Sequence, residues 1–228
     1  MLPIFLLSVL CAPPPAPSGH YVESRTAAVF AGACHYNGEW CTEGRDALCV
    51  WHFEAGSWAG EELAGVDLAL ALRADTNLAA PGAQIERAVY LSSTSTPAAR
   101  AAALELLRAR EPGLFAGAAV LDALPISASF TADGGYSIVG GKLFALAGHA
   151  LADRACCRMP LNVWYKPFGS IDGRVVGDND VFRMSDARMG RVFERPGNNA
   201  AFTGTFRYAD LSSAGGSALV NSRSTLVA

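Results

Sequence analysis

The chain has 228 residues, which is enough for one large domain or two small ones. Its formal net charge is −3, and 17% of its residues are charged, without any basic run. We therefore expect no nucleic-acid partner, because phosphate contacts need clustered Lys and Arg. The hydrophobic fraction of 51% supplies a core and argues against disorder over most of the length.

An apolar run, MLPIFLLSVLCA, opens the chain and is followed by the proline-rich stretch PPPAPSG. The run is too short to span a bilayer as a helix, and it is typical of the hydrophobic part of a signal peptide. We predict that residues 1–19 are a signal peptide and linker, and that the mature chain has no transmembrane helix. The protein is then exported to the periplasm or the extracellular space. The alternative is an N-terminus that is simply disordered.

Alternating apolar residues predict strands through the first half of the domain. Asn37-Gly38 indicates a hairpin turn between the first two strands. On the second strand Cys49 and Trp51 point to one face, and His52 points to the other. We interpret His52 as a half-buried histidine with a satisfied ring, and His20 as a solvated residue at the start of a strand. These predicted strands span residues 20–32, 43–53, 66–73 and 87–91.

A helix is predicted at about residues 97–111. Thr96 can cap its first turn, Pro97 suits the first helical position, and Pro112-Gly113 ends it. Apolar residues recur at helical spacing along one side, which indicates packing against a sheet.

The second half again predicts short strands, with Asp133-Gly134-Gly135 as a hairpin signal. The stretch 149–157 fits either a loop or one or two helical turns. We predict one α+β domain over residues 20–210, a mostly antiparallel sheet with one main helix packed on it, and a flexible tail at 211–228. The further strands are expected at residues 118–121, 126–131, 136–139, 142–146, 161–165, 174–176, 180–184 and 201–208.

The cysteine count is odd once the signal peptide is set aside. Five thiols remain, so at least one is free, bound to metal or paired between chains. A bond between the adjacent Cys156 and Cys157 would be strained, because neighbouring Cα atoms lie only about 3.8 Å apart. Other disulfides remain open, among them Cys34–Cys41, Cys41–Cys49 and a long-range bridge. The five cysteines are Cys34, Cys41, Cys49, Cys156 and Cys157.

Two stretches carry the side chains that bind soft and borderline metals, GACHYNGEWC and GHALADRACCRMP. Thiolate, imidazole and thioether together suit copper, and thiolate with imidazole also suits zinc. No pair of cysteines has the spacing of a zinc ribbon. The candidate ligands are Cys34, His35, His149, Cys156, Cys157 and Met159.

The motifs of common enzymes are missing. The sequence has no GxSxG, HExxH or P-loop, and no GxGxxG follows a strand and opens a helix. We therefore expect a non-catalytic protein.

Three stretches follow one another in the chain, TAAVFAGACHYNGE, WHFEAGSWAGEELAGVDL and AVYLSSTSTPAARAAALELL. Their order resembles bacterial proteins carrying the domain of unknown function 1326. The resemblance covers roughly residues 20–210 and places Cys34 in a cysteine-bearing turn after the first strand. It implies a fold context and an exported bacterial setting, and it implies no activity.

The leading hypothesis is an exported protein that binds copper, or alternatively zinc, without catalysis. Its ligands would be Cys34, His149 and one of Cys156 and Cys157, with His35 and Met159 as auxiliary ligands. The alternatives are a thiol-redox protein acting through Cys156 or Cys157, and a disulfide-stabilised structural or interaction domain without a site.

Overall fold

The computed structural model describes residues 15–27, 44–151, 166–190, 192–195 and 198–209. Strands dominate these residues, and the helices are short. The helices are α1 (Pro97–Arg110), α2 (Pro112–Phe115) and a 3-10 helix (Ala187–Met189). The strands are β1 (Ser18–Arg25), β2 (Asp46–Ala55), β3 (Ser57–Trp58), β4 (Glu61–Glu62), β5 (Asp67–Arg73), β6 (Glu86–Ser92), β7 (Ala119–Leu124), β8 (Ile126–Phe130), β9 (Tyr136–Gly140), β10 (Phe144–Ala150), β11 (Asp172–Met184), β12 (Phe193–Glu194) and β13 (Asn198–Arg207).

One 11-stranded sheet forms the body of the described chain. Its order is β7-β6-β5-β2-β1-β13-β11-β10-β9-β8, with β12 beside β11, while β3 and β4 form a separate small ribbon. Neighbouring strands are antiparallel except β6 and β7, which are parallel. Side chains alternate between the two faces along each strand. This alternation fixes the pairing register of neighbouring strands, because a shift of one residue would turn every apolar side chain of a strand to the other face.

The two ends of this sheet are joined by a single residue of chain. Strands β7 and β8 stand at opposite ends of the strand order, yet only Pro125 lies between them. The Leu124 carbonyl accepts a hydrogen bond from Ser93 N at 2.8 Å, and the Pro125 carbonyl accepts one from Gly141 N at 3.0 Å. The segment Leu124-Pro125 is thus hydrogen-bonded near both ends of the strand order, and the sheet is a nearly closed barrel.

Both faces of the sheet are buried where α1 covers the barrel. On β2, Cys49 and Trp51 belong to the outer core, while Leu48 and Val50 belong to the inner core. The outer core lies between the sheet and α1, and its helical members include Ala99, Ala102, Ala103, Leu106 and Leu107. The inner core fills the barrel and includes Val22, Ala69, Tyr90, Ile138, Phe144, Leu146, Phe182 and Ala201.

The predicted α+β architecture, a mostly antiparallel sheet with one main helix at about 97–111 packed on it, is wrong. The protein is mostly β, and its sheet curls into a nearly closed barrel. Helix α1 does form, and the Thr96 hydroxyl accepts a hydrogen bond from Ala99 N at 3.1 Å. Its 14 residues face only part of the outer surface, so the sheet itself encloses the inner core. Closure also pairs strand edges that an open sheet would leave exposed.

Several predicted features lie outside the described residues. These are the hairpin turn at Asn37-Gly38, the strand at 161–165 and the tail at 211–228. Of the stretch 149–157, His149 and Ala150 are the end of β10. Among the helices of the described chain, none has the length and apolar character that crossing a bilayer requires.

Candidate functional site at one end of the barrel

Of the six predicted metal ligands, only His149 belongs to the described residues. It lies on β10 with 57% of its side chain exposed, and its Nδ1 is 3.3 Å from Asp180 Oδ2 on β11. No group of three or more His, Cys, Asp or Glu side chains in the described part of the chain is arranged to hold a metal. Cys34, His35, Cys156, Cys157 and Met159 lie outside that part. The metal site therefore stays a prediction.

The two cysteine-bearing segments are attached to the barrel at neighbouring points. Residues 28–43 follow β1, and residues 152–165 end at Lys166. The Arg25 guanidinium, at the end of β1, donates a hydrogen bond to the Lys166 carbonyl. It also lies 3.8 Å from the centre of the Phe168 ring. Two described residues that flank these segments in the chain, Arg25 before the first and Lys166 after the second, are therefore in contact.

Cys49, which is not one of the candidate ligands, is a structural thiol. It is free, fully buried on β2 and directly opposite Glu23 on β1. Burial, and then the charge of Glu23, raise the pKa of the Cys49 thiol well above its usual value. Because the thiolate is the form that binds metals and attacks disulfides, Cys49 is inert. Since Cys49 is free, the Cys41–Cys49 bridge, one of the disulfides that the sequence left open, is not formed.

A buried polar cluster surrounds Glu23. Its carboxylate accepts hydrogen bonds from the Tyr21 hydroxyl, from Arg25 Nε at 3.1 Å and from the Phe168 backbone N at 2.6 Å. Burial, together with the neighbouring Cys49 and Glu23, raises the pKa of Tyr21. The Gly169 backbone N donates to the Tyr21 hydroxyl at 3.1 Å. The cluster fastens the chain after Lys166 to the outer face of β1, and we interpret it as structural.

A row of polar side chains crosses five adjacent strands at one end of the barrel. Each member lies directly opposite the next in the sheet register, on β11, β13, β1, β2 and β5 in turn. Directly opposite residues of neighbouring strands project from the same face of a sheet. The row is Asp172, Thr205, His20, His52 and Asp67.

This row faces the interior of the barrel. Val22 lies two residues beyond His20 on β1, and Val50 lies two residues before His52 on β2. Both valines belong to the inner core, and residues two apart on a strand share a face. The interior therefore changes from apolar to polar at this end.

Each histidine of the row has an acidic partner. His52 Nδ1 lies 2.7 Å from Asp67 Oδ1, and His20 Nε2 lies 3.3 Å from Glu54 Oε1. The hydrogen bond to Asp67 raises the pKa of His52, although partial burial of the ring acts in the opposite direction. The expectation that His52 is half-buried with a satisfied ring is confirmed. His20, predicted to be simply solvated, is instead part of the row.

Phe130 covers the two histidines from across the barrel. Its ring stacks on His20 at 4.5 Å between centroids with an interplanar angle of 13°, and it lies 5.9 Å from His52. Phe130 is the last residue of β8, so the stack holds the β8–β9 hairpin against the row. In the hairpin, the Thr131 hydroxyl accepts a hydrogen bond from Gly135 N at 2.9 Å and donates to Asp133.

An open pocket of about 300 Å³ lies between this hairpin and the row. Among the described residues that line it there is neither Lys nor Arg, and Asp172 is the one acidic residue. Within the described chain, the Asp172 and Thr205 side chains form no hydrogen bond or ion pair. The pocket is lined by His20, Phe130, Thr131, Ala132, Gly134, Gly135, Asp172, Gly173, Val175, Thr203, Gly204 and Thr205.

The chemistry available here is hydrogen bonding. A carboxylate accepts, a threonine hydroxyl both donates and accepts, and an imidazole does either at each nitrogen according to its tautomer. Nucleophilic catalysis needs a hydroxyl or thiol within hydrogen-bond reach of a base. In the described residues, the side-chain partners of the two histidines are carboxylates. The arrangement therefore offers hydrogen-bond donors and acceptors to a molecule bound at this end of the barrel.

Comparison of the chain with protein-family models, curated proteins and solved structures gave no match. The resemblance to the domain of unknown function 1326 stays a prediction.

Proposed function

We propose that this protein binds a small polar molecule, without transforming it, in the pocket between the polar row and the β8–β9 hairpin. The carrying observation is the register of the row, which aligns five polar side chains across five strands. Three of them, Asp172, Thr205 and His20, line a pocket of about 300 Å³. Small-molecule sites are typically concave, with a few polar groups that fix orientation, and the ends of β-barrels are a common location. Export to the periplasm or the extracellular space is part of this proposal.

The packing around the row supports a fixed site. The Thr203 hydroxyl donates to the Tyr21 carbonyl at 3.2 Å, and Asp67 and Glu54 orient the two imidazoles. The stack of Phe130 on His20 holds the far wall. Side chains that are already ordered lose less conformational entropy when a ligand binds.

The test is a thermal-shift screen of the full chain against small polar compounds, with a variant that fills the pocket. Thr205→Trp places a large ring into the pocket from an exposed position, so it should abolish any ligand-induced rise in Tm. Ser137→Trp is the matched control, because Ser137 is exposed on β9 and lies outside the pocket lining. If Thr205→Trp leaves the shifts of every binding compound unchanged, or no compound binds, the proposal fails.

A second candidate is metal binding, with copper favoured and zinc as the alternative. It is supported by the contact of Arg25 with Lys166, which joins the attachment points of the two cysteine-bearing segments. It is also supported by the burial of Cys49, which leaves two thiols in each segment. The proposed ligands remain Cys34, His149 and one of Cys156 and Cys157, with His35 and Met159 as auxiliary ligands.

Elemental analysis of protein purified without chelator tests this second candidate. The double variant Cys156→Ser/Cys157→Ser should lose bound copper or zinc, whereas Cys49→Ala should retain it. Absence of both metals from the unaltered protein would exclude the candidate. Rapid alkylation of Cys156 or Cys157 in metal-free protein would favour the thiol-redox alternative, because a fast-reacting thiol has a lowered pKa. Four thiols paired as disulfides would favour the structural alternative.

A further inference from the structure

We propose that the ligand of the barrel-end pocket is an uncharged molecule with several hydroxyl groups, of the size of a monosaccharide or a small polyol. This inference rests on the proposed function and names the class of compound that the pocket selects.

The charges around the pocket exclude an anionic ligand. No Lys or Arg of the described chain lines it, and the Asp172 carboxylate stands at its rim. Glu54 lies behind His20, at 3.3 Å between Oε1 and Nε2. Phosphates and carboxylates are bound by Arg, Lys or clustered backbone N–H groups, so an anion would meet repulsion without compensation here.

The hydrogen-bonding groups of the pocket call for a ligand that donates at some positions and accepts at others. The Asp172 carboxylate only accepts hydrogen bonds. The Thr203 hydroxyl donates its hydrogen bond to the Tyr21 carbonyl, so its lone pairs remain available to accept one from a ligand. The exposed Thr205 hydroxyl is able to donate or to accept. A hydroxyl group does both, so one hydroxylated ligand satisfies all three. An apolar ligand would desolvate these groups without replacing their hydrogen bonds.

The hydrogen-bonding groups also favour hydroxyls over an ammonium group. An ammonium group donates and cannot accept, so it would pair with Asp172 and leave the donors of Thr205 and of the His20 imidazole without an acceptor. Uncharged hydroxyls accept hydrogen bonds from an imidazole N–H and also donate to a carboxylate.

The walls suit a compact ring. Gly134 and Gly173 leave bare backbone along the pocket, which permits close approach of a ligand. Val175 and Phe130 supply limited apolar surface against which the C–H groups of a sugar or polyol can pack.

The experiment compares compounds that share a carbon skeleton and differ in charge. Neutral monosaccharides and acyclic polyols are titrated into the full chain beside their amino and carboxylate counterparts, with calorimetry and backbone amide shifts as readouts. We expect the best neutral compound to bind about tenfold or more tightly than its charged counterparts, and Thr205→Trp to abolish its binding. Asp172→Asn should weaken it by about tenfold, since hydrogen bonds to charged groups are the stronger ones. Asp180→Asn should change nothing, because the Asp180 side chain is 62% exposed and lies outside the pocket lining.

The possible outcomes distinguish failure of the proposed ligand class from failure of the proposed binding site. If an amine or a carboxylate binds best and Thr205→Trp abolishes that binding, the polyhydroxyl class is wrong and the pocket stands as a binding site. The same conclusion holds if no neutral polyol binds while other polar compounds do. Binding that survives Thr205→Trp overturns both proposals, as does a complete lack of binding.

Discussion

His52 and Asp67 lie directly opposite each other on β2 and β5, with 2.7 Å between Nδ1 and Oδ1. The hydrogen bond fixes the imidazole ring, whose side chain is 24% exposed, at the polar end of an otherwise apolar interior. His20 lies directly opposite His52 on β1, so the pair fixes the side chain beside which His20 is aligned in the row.

The first prediction concerns the pKa of His52. Its folded-state pKa is raised, chiefly by the hydrogen bond to Asp67, so the folded protein holds this proton more tightly than the unfolded chain does. The resulting stabilisation is complete below the unfolded-state pKa and is lost as the pH rises through the folded-state pKa. Asp67→Asn should lower the His52 pKa and remove this stabilisation at acidic pH.

Titration of the His52 ring protons by NMR measures the first effect, and urea unfolding at acidic and alkaline pH measures the second. Asp75→Asn is the control, since the Asp75 side chain is 93% exposed and lies away from the row. An unchanged His52 pKa in Asp67→Asn would show that another group sets it.

Local patterns in the sequence predict most of the elements and fail to predict closure. Alternation placed Trp51 and His52 on opposite faces of one strand, and the structure confirms both faces. Closure depends on β1 pairing with β13 and on the bend at Pro125, and no local pattern encodes pairings between distant segments. A mostly antiparallel sheet with one main helix packed on it was therefore the expected architecture.

The same limitation hid the candidate site. His20 and His52 looked unrelated because each was interpreted on its own strand, and Asp172 and Thr205 lie more than a hundred residues away. Only the register across five strands brings them into one row. The available signal was the polar residue at the end of several apolar alternations, which becomes informative once the strand order is known.

A second prediction concerns Glu23, which is fully buried and paired with a buried Arg25. Glu23→Ala leaves the guanidinium without its carboxylate and removes the acceptor for Phe168 N. Breaking a buried ion pair from one side costs about 3–5 kcal/mol, so the free energy of unfolding should fall by that amount. Urea denaturation gives the value, and Glu105→Ala, on the exposed side of α1, serves as the control. A loss below about 1 kcal/mol, the median for exposed pairs, would mean that the cluster is solvated.

A third prediction concerns Gly148 on β10. A Cβ added there would lie 2.1 Å from the Asp178 carbonyl oxygen and 2.4 Å from the Tyr136 hydroxyl oxygen. The backbone oxygen cannot move without disturbing the pairing of β10 with β11, so Gly148→Ala should destabilise the protein by about 1–3 kcal/mol. Gly113→Ala is the matched control, because nothing lies within 4 Å of its added Cβ. Equal Tm values for the two variants would contradict the close contact between β10 and its neighbours.

The last prediction concerns the reactivity of Cys49. Its thiol is fully buried, and burial raises its pKa, so the native protein should protect it from alkylation. Mass spectrometry of peptides after brief treatment with N-ethylmaleimide should show Cys49 unmodified in native protein and fully modified in guanidinium chloride. Labelling at equal rates in both conditions would mean that β2 opens readily. Protection would account for the odd thiol by its burial in the core. Any metal or redox chemistry of cysteine would then belong to the other four thiols, Cys34, Cys41, Cys156 and Cys157.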